Sequence, residues 1–268
     1  MLLSNKTVIV TGASSGIGAV SARLFAEHGA NVVLAARRED LLRRRADEIR
    51  DAGGQAAYLA GDVKDEQYAK ALVGLAESEF GGLDAAYNNA GWVGELVPVP
   101  EMATANWRDV VDTNLTSAYL AAKYQIPALK RRGGGSIVFT SSFVGHAIGL
   151  PGMGAYAAAK NGLIGLTQVL AAEHGSDGVR VNALLPGGTK TTMAGDDPQV
   201  LAYVKSLHAL QRMAEPEEIA QAALFLVSDQ SSFVTGSAMT VDGGNSIFKP
   251  PPANTSDNLE PTEAATAR

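Results

Sequence analysis

The stretch Lys6-Thr-Val-Ile-Val-Thr-Gly-Ala-Ser-Ser-Gly-Ile-Gly18 decides the fold. Residues 7–10 are an apolar run rich in β-branched side chains, which predicts a buried strand. A helical pattern follows over residues 17–28, and the turn between the two is rich in glycine. In such a turn the backbone N–H groups can approach a phosphate, and the start of the helix adds partial positive charge. The stretch therefore predicts a phosphate-binding turn.

The glycines of this turn are Gly12, Gly16 and Gly18, in the spacing G-x-x-x-G-x-G. The general dinucleotide-binding motif has the different spacing G-x-G-x-x-G. On this segment alone, a glycine-rich turn without a ligand therefore stays open as an alternative.

Strand-like runs alternate with helical patterns over the rest of the chain. The runs lie at 31–36, 55–60, 83–87, 136–140, 179–185 and 237–241, and the helical patterns at 39–52, 65–80, 104–132, 156–174 and 216–227. Alternation without long linkers predicts an α/β fold with a doubly wound parallel sheet (Rossmann fold) of about seven strands flanked by helices. We expect one domain over residues 1–248. Residues 249–268 carry a proline run at 250–252 and a Ser/Thr/Asn/Glu-rich remainder, which predicts a disordered tail.

Two segments stand out in this pattern. The helix at 104–132 is unusually long, and Pro127 within it predicts a kink or the start of a last turn. Residues 188–213 follow a strand end, begin polar and turn-rich and then become apolar, which is typical of a lid.

Composition excludes several classes of function. The formal net charge is −6, and the longest basic tract is Arg43-Arg44-Arg45, so we expect no nucleic-acid partner. There is no cysteine, which excludes disulfides and thiolate chemistry, and the four histidines lack metal-ligand spacing, so we expect no metal. The chain begins without a signal-peptide pattern and has no apolar run of membrane length. We expect a cytoplasmic protein with no membrane partner.

The stretch between Ser141 and Lys160 holds the candidate chemistry. Tyr156 and Lys160 are four residues apart, about one helical turn, so they share a helix face. A cation beside a phenol favours the phenolate and lowers the phenol's pKa, which suits proton transfer to or from a carbonyl or alcohol oxygen. Ser142, at a strand end, adds a second hydrogen bond to that oxygen. Taken alone, the pair is also typical of an ordinary amphipathic helix.

The residues at the end of the second strand indicate whether the cofactor is NAD or NADP. An acidic residue there would bind the ribose 2′-hydroxyl of NAD, but Arg37 and Arg38 follow Ala36 instead. Arg37 can hold a 2′-phosphate, so we expect NADP, with NAD possible. Two solvated arginines at a strand end are the alternative.

Six motifs now occur in one order: Thr11-Gly-Ala-Ser-Ser-Gly-Ile-Gly18, Asn88-Asn-Ala-Gly91, Asn114, Ser142, Tyr156-x-x-x-Lys160 and Pro186-Gly187. Together the motifs resemble the compact subgroup of the short-chain dehydrogenase/reductase (SDR) family, over roughly residues 4–247. The resemblance implies an NAD(P)-dependent oxidoreductase. Its reaction would be reversible hydride transfer between the nicotinamide and a small-molecule carbonyl or secondary alcohol.

The resemblance also implies roles for individual residues. Tyr156 would be the acid/base, Lys160 would hold the nicotinamide ribose, Ser142 would polarise the substrate oxygen, and Asn114 would bind the water of a proton relay. The glycines would cradle the pyrophosphate, Asp62 and Val63 would contact adenine, and Thr189 would bind the carboxamide. Asn88 and Ala90 would flank the ribose, and a brace for the central strand is the alternative role of their motif. The implied cofactor site is Gly12, Ser14, Ser15, Gly16, Ile17, Gly18, Arg37, Arg38, Asp62, Val63, Asn89, Ala90, Gly91, Tyr156, Lys160, Pro186, Gly187 and Thr189.

Two departures from the family pattern leave alternatives open. The step from Ser142 to Tyr156 is one position longer than the commonest family spacing, so Ser141 is an alternative, although Gly145 keeps the usual register with Ser142. The basic residue that NADP-binding members often carry in the glycine motif is replaced by Ser15. The preference for NADP therefore depends on Arg37 and the missing acid.

The sequence says less about the identity of the substrate and about the oligomeric state. Candidate pocket residues are mostly apolar: Trp92, Val93, Phe143, His146, Ile148, Leu150, Met153 and Met193. Arg131 and Arg132 leave open a 3-oxoacyl-thioester (acyl carrier) reductase, and a cofactor-binding regulator without turnover is the alternative of another class. The resemblance and the small residues of the Tyr156 helix imply a homotetramer.

Overall fold

The computed structural model of the chain describes residues 1–249. The predicted disordered tail thus lies outside the described residues, apart from Lys249. The strands are β1 Thr7–Thr11, β2 Asn31–Ala36, β3 Gln55–Ala60, β4 Ala85–Asn88, β5 Gly135–Thr140, β6 Val179–Pro186 and β7 Ala238–Val241. The α-helices are α1 Gly16–Glu27, α2 Glu39–Asp51, α3 Glu66–Phe80, α4 Thr104–Val111, α5 Ser117–Arg131, α6 Gly154–His174, α7 Pro198–Ser206 and α8 Pro216–Val227.

The seven strands form one parallel sheet in the order β3-β2-β1-β4-β5-β6-β7. This confirms the predicted doubly wound fold. The chain moves outward from β1 to β3, returns to the centre and moves the other way from β4. The order therefore reverses between β1 and β4, and ligands of such sheets bind outside the carboxyl ends of the strands at this point.

Helices cover both faces of the sheet, which explains why its central strands are almost wholly apolar. Side chains of α1, α2 and α8 pack on one face, with Phe25 and Tyr87 in an edge-to-face contact. Side chains of α3, α5 and α6 pack on the other face. The core thus fixes the positions at which the strands end.

The helix predicted over residues 104–132 has a different structure. It consists of α4, a π-helical turn at Asp112–Thr116 and α5, and Pro127 lies inside α5. A π turn widens the helix locally and often marks a functional site. The prediction of one continuous helix thus missed the irregularity around Asn114, whereas Pro127 lies four residues before the end of α5, where the start of a last turn was one of the two predictions.

The predicted lid contains a short 3-10 turn at Thr192–Ala194 and helix α7. Asp197 caps α7 by accepting a hydrogen bond from the backbone of Gln199, at 2.8 Å. No helix among residues 1–249 is long and apolar enough to cross a membrane.

Candidate active site

Ser141 and Ser142 come directly after β5, and their side chains have different partners. The Ser141 hydroxyl donates to the backbone oxygen of Lys160 at 2.6 Å, so it ties β5 to α6. The Ser142 hydroxyl accepts from the backbone N–H of Val144 at 3.1 Å and lies beside the Tyr156 phenol, whose pKa it lowers. Of the two serines, Ser142 is the one whose hydroxyl faces the phenol.

The loop from Ser142 to α6 is held against that helix. Gly145 has a φ of +88°, and a Cβ there would lie 2.4 Å from the backbone oxygen of Ala157. Gly145 also donates from its N–H to the oxygen of Ile148 at 2.8 Å, which closes a tight turn. Only glycine fits this approach. The long loop is thus fixed where it leaves Ser142 and where α6 begins.

Tyr156 and Lys160 lie on one face of α6, as predicted. The Lys160 ammonium is buried, lies 5.5 Å from the centre of the Tyr156 ring and donates to the backbone oxygen of Thr140 at 2.6 Å. Burial lowers the pKa of Lys160 to about 7. Tyr156 as a whole residue is half-buried.

The expected lowering of the Tyr156 pKa is wrong in this structure. Burial raises the pKa of the phenol, and the Ser142 hydroxyl only partly offsets the effect. The same burial pushes Lys160 towards its neutral form, so the cation that was expected to stabilise the phenolate is itself weakened.

Asn114 lies in the π turn and points towards Lys160. Its amide group donates to the backbone oxygens of Val110 and Trp92, at 2.8 and 2.7 Å, and accepts from the N–H of Trp92 at 3.2 Å. A Cβ on Gly91 would lie 2.9 Å from the Asn114 side-chain oxygen and 3.3 Å from the Lys160 ammonium. Gly91 therefore lets these two side chains approach each other.

The glycine-rich turn lies at the sheet's switch point. Gly12 has a φ of +70°, and a Cβ there would lie 2.9 Å from the Asn89 side-chain amide. The Thr11 hydroxyl accepts from the backbone N–H groups of Asn89 and Ala90, at 2.9 and 3.0 Å. A Cβ on Gly18 would lie 2.4 Å from the oxygen of Gly12, so this glycine lets α1 pack closely on the turn.

The start of α1 suits an anion. The helix begins at Gly16, Ser15 makes no side-chain cap bond, and the first turn carries no acidic residue. Its N–H groups and its positive dipole end are thus available to a phosphate. Ile17, in the same turn, packs against the core instead.

The two arginines after β2 differ. Arg38 donates from one guanidinium nitrogen to the hydroxyls of Ser14 and Ser15, at 2.9 and 2.8 Å, while the Arg37 side chain is exposed. Arg38 thus links the end of β2 to the glycine-rich turn. This contact was not anticipated, because sequence spacing alone does not show which of two adjacent side chains faces the turn.

The remaining predicted cofactor residues follow other strand ends along the same edge of the sheet. Asp62 and Val63 follow β3, and Val63 lines a small cavity of about 20 Å³ with Ala90 and Asn114. Pro186 ends β6, and the Thr189 hydroxyl donates to the backbone oxygen of Gly187 at 3.0 Å.

A family model described as enoyl-(acyl carrier protein) reductase matches residues 12–246. The crystal structure of a short-chain type dehydrogenase/reductase from Mycobacterium marinum superposes with a TM-score of 0.88 at 35% identity, covering 92% of this chain and 97% of that one. The chain belongs to the short-chain dehydrogenase/reductase family. It is therefore a nicotinamide-dependent oxidoreductase, which transfers hydride between the cofactor and a carbonyl or a secondary alcohol.

Three relatives in this SDR family are named as dehydrogenases of ring alcohols. A 2,5-dichloro-2,5-cyclohexadiene-1,4-diol dehydrogenase of Sphingobium indicum is 44% identical, covering 90% of this chain and 97% of that protein. A cyclohexanol dehydrogenase of an Acinetobacter species is 40% identical, covering 90% and 94%. A cis-4-hydroxycyclohexanecarboxylate dehydrogenase of Sinomonas cyclohexanicum is also 40% identical, covering 90% and 96%.

The predicted pocket residues differ in their exposure to solvent. Trp92, His146 and Met193 are exposed, whereas Phe143 is buried behind the end of β5. The loops that carry them meet, since a Cβ on Gly152 would lie 3.2 Å from the backbone of Leu96. The two loops therefore form a common rim beside Tyr156.

Two residues near the site were not predicted. Asn106 on α4 pairs with the backbone of Glu95, donating to its oxygen at 3.2 Å and accepting from its N–H at 3.1 Å. His208, in the apolar part of the predicted lid, accepts from the backbone N–H of Gly188 at 3.0 Å. Neither belongs to a motif, and both act through long-range contacts with backbone groups.

Proposed function

We propose that this SDR enzyme interconverts a secondary alcohol and its ketone with Tyr156 as the acid/base, and that it prefers NADP to NAD. The observation that supports it best is the position of Tyr156. Its phenol has the Ser142 hydroxyl beside it and the buried Lys160 ammonium 5.5 Å from its ring, at the carboxyl end of β5.

In reduction, Tyr156 donates its proton to the carbonyl oxygen, and in oxidation it accepts the proton of the alcohol. Ser142 holds the same oxygen by a hydrogen bond, which is strongest when negative charge develops there. When bound, the nicotinamide cofactor supplies or accepts the hydride. Lys160 would hold the nicotinamide ribose, and a water bound by Asn114 would link Lys160 to solvent in a relay that returns protons to Tyr156.

The cofactor's phosphates fit the start of α1, where the backbone N–H groups are uncapped. Around the pyrophosphate, Gly12 and Gly18 would act by letting the turn pack closely on Asn89 and α1, and Gly16 by its φ of +54° at the start of α1. Arg37 is exposed and extends from the end of β2, where it can pair with a 2′-phosphate. Arg38 holds the glycine-rich turn by its hydrogen bonds to Ser14 and Ser15. Asp62, Val63, Asn89, Ala90 and Thr189 contact the rest of the cofactor.

For the substrate, we propose a ring-bearing secondary alcohol. The named relatives support this class, and so does the rim with the exposed Trp92 on one of its loops. A flat apolar side chain such as Trp92 suits the face of a six-membered carbon ring.

The other two candidate functions have less support. The arginines that would attract an acyl carrier are already paired, Arg131 with Glu77 at 2.5 Å and Arg132 with Asp84 at 3.3 Å. A regulator without turnover would not need Ser142, Tyr156, Lys160 and Asn114 together. Both alternatives therefore rank below a ring-alcohol dehydrogenase.

The proposal is tested by alcohol oxidation with each cofactor and by cofactor-binding measurements. We expect the wild type to oxidise cyclohexanol faster than the open-chain 2-hexanol, with NADP⁺ preferred to NAD⁺. Because charged hydrogen bonds contribute about 1.5–3 kcal/mol, Arg37→Ala should weaken NADPH binding by roughly tenfold or more and leave NADH binding unchanged. Arg44→Ala, an exposed arginine on α2, is the control. Equal or better binding of NADH than of NADPH by the wild type would contradict the preference, and equal binding of NADPH by wild type and Arg37→Ala would contradict the role of Arg37.

A further inference from the structure

His208 is 2% exposed and lies between the turn that follows β6 and the end of α7. One ring nitrogen, Nε2, accepts the backbone N–H of Gly188 at 3.0 Å. The other, Nδ1, lies 2.8 Å from the backbone oxygen of Val204 in the last turn of α7. An acceptor at Nε2 and a carbonyl partner at Nδ1 place the single ring proton on Nδ1. Both ring nitrogens are therefore satisfied.

The surrounding glycines leave just enough space for this ring. A Cβ on Gly187 would lie 2.9 Å from Nε2, and a Cβ on Gly188 would lie 2.9 Å from the adjacent ring carbon. A Cβ on Gly243, after β7, would lie 3.4 Å from Cδ2. Ring and turn thus fix each other's position.

Backbone hydrogen bonds hold the turn at other positions. Gly187 donates to the oxygen of Val241 at 3.0 Å, and Thr189 forms a bridge with Ala214, in which the oxygen of Gly188 accepts from the N–H of Ala214 at 2.9 Å. The N–H of Gly188, between these two positions, has His208 as its partner. His208 is thus the side chain that joins this turn to α7.

We propose that His208 is a positioning residue for the nicotinamide half of the cofactor. It holds the turn from Gly187 to Thr189 in the conformation in which Thr189 meets the carboxamide, and it couples that turn to α7 of the lid. This inference rests on the proposed function, which assigns Thr189 to the nicotinamide. His208 does not transfer protons to the substrate, because both its nitrogens are buried and paired with the backbone.

Two conservative variants separate the contacts of the ring. In His208→Gln the longer side chain brings its carbonyl oxygen to the place of Nε2, so the bond to Gly188 is kept. In His208→Asn the shorter side chain can still reach Val204 but leaves the Gly188 N–H without a partner. His174→Asn, a half-buried histidine at the end of α6, is the control for a general loss of stability.

The readout is the dissociation constant of NADPH compared with that of 2′-phospho-ADP-ribose, which lacks the nicotinamide. We expect His208→Asn to weaken NADPH binding by about tenfold, equivalent to about 1.4 kcal/mol, and to leave the fragment unaffected. His208→Gln and His174→Asn should bind both compounds as the wild type does.

The opposite pattern overturns the inference. If His208→Asn binds NADPH as tightly as the wild type, the turn does not depend on the ring. If NADPH and the fragment lose affinity by the same factor, His208 has only a general structural role. A wild type that binds neither NADPH nor NADH would instead overturn the proposed function, which is a different result.

Discussion

At the scale of the residue, burial decides the chemistry of the site more than charge does. Lys160 was expected to lower the pKa of Tyr156, yet burial opposes both charged forms, raising the phenol's pKa and lowering that of Lys160 to about 7. Spacing on a helix predicts that two side chains meet, but it does not predict how much water surrounds them. The pKa values therefore needed the folded structure.

Lys160→Met should make the protein more stable at low pH. The unfolded chain holds the lysine proton up to a pKa of about 10.4, whereas the folded chain releases it near 7, so wild-type stability rises with pH between these values. Below pH 7 the full cost of burying the charge remains. We expect the variant to gain about 2 kcal/mol or more at pH 6 and little at pH 10. Urea unfolding at both pH values measures this, and a gain that does not change with pH would refute it.

At the scale of the element, asparagine side chains fix the loop after β4. Asn114 pairs with the backbone of Trp92, and Asn106 pairs in the same reciprocal way with Glu95. Both come from the helical segment of α4 and the π turn. The segment thus aligns the loop that carries Trp92 along the rim of the site.

Asn106→Ala should release the far end of this loop. Each lost hydrogen bond contributes about 0.5–1.5 kcal/mol, so we expect the KM for cyclohexanol to rise by roughly fivefold, with kcat and NADPH binding little changed. Arg108→Ala, exposed on the same helix, is the matched control. Steady-state kinetics of the two variants measure this effect. Equal KM values for Asn106→Ala and Arg108→Ala would show that Asn106 does not position the rim.

At the scale of the whole molecule, the features that were predicted correctly are those that depend on local sequence pattern. The strands, the glycine-rich turn and the Tyr156 helix follow from periodicity and turn residues, and the structure has the predicted parallel sheet. The π turn at Asp112–Thr116 was missed because its residues suit an α-helix equally well. The contacts of Asn106, His208 and Arg38 were missed because each joins segments that only the fold brings together.

We also propose a homotetramer, in which α4, α5 and α6 pair between subunits. Large apolar side chains are exposed on all three helices, namely Trp107, Tyr119 and Val169. Light scattering in dilute buffer should give about four times the chain mass of 27.8 kDa. A mass of one chain would contradict the assembly, and Val169→Glu should lower the mass if this face is the interface.

Turnover by Tyr156→Phe tests the central claim most directly. The variant keeps the ring but loses the hydroxyl, so we predict that cyclohexanol oxidation falls by about a hundredfold or more while NADPH binding stays close to that of the wild type. Tyr119→Phe, at an exposed tyrosine on α5, should leave both unchanged. If Tyr156→Phe retained turnover near the wild-type rate, the proton would come from another group, and the assignment of Tyr156 as the acid/base would be wrong.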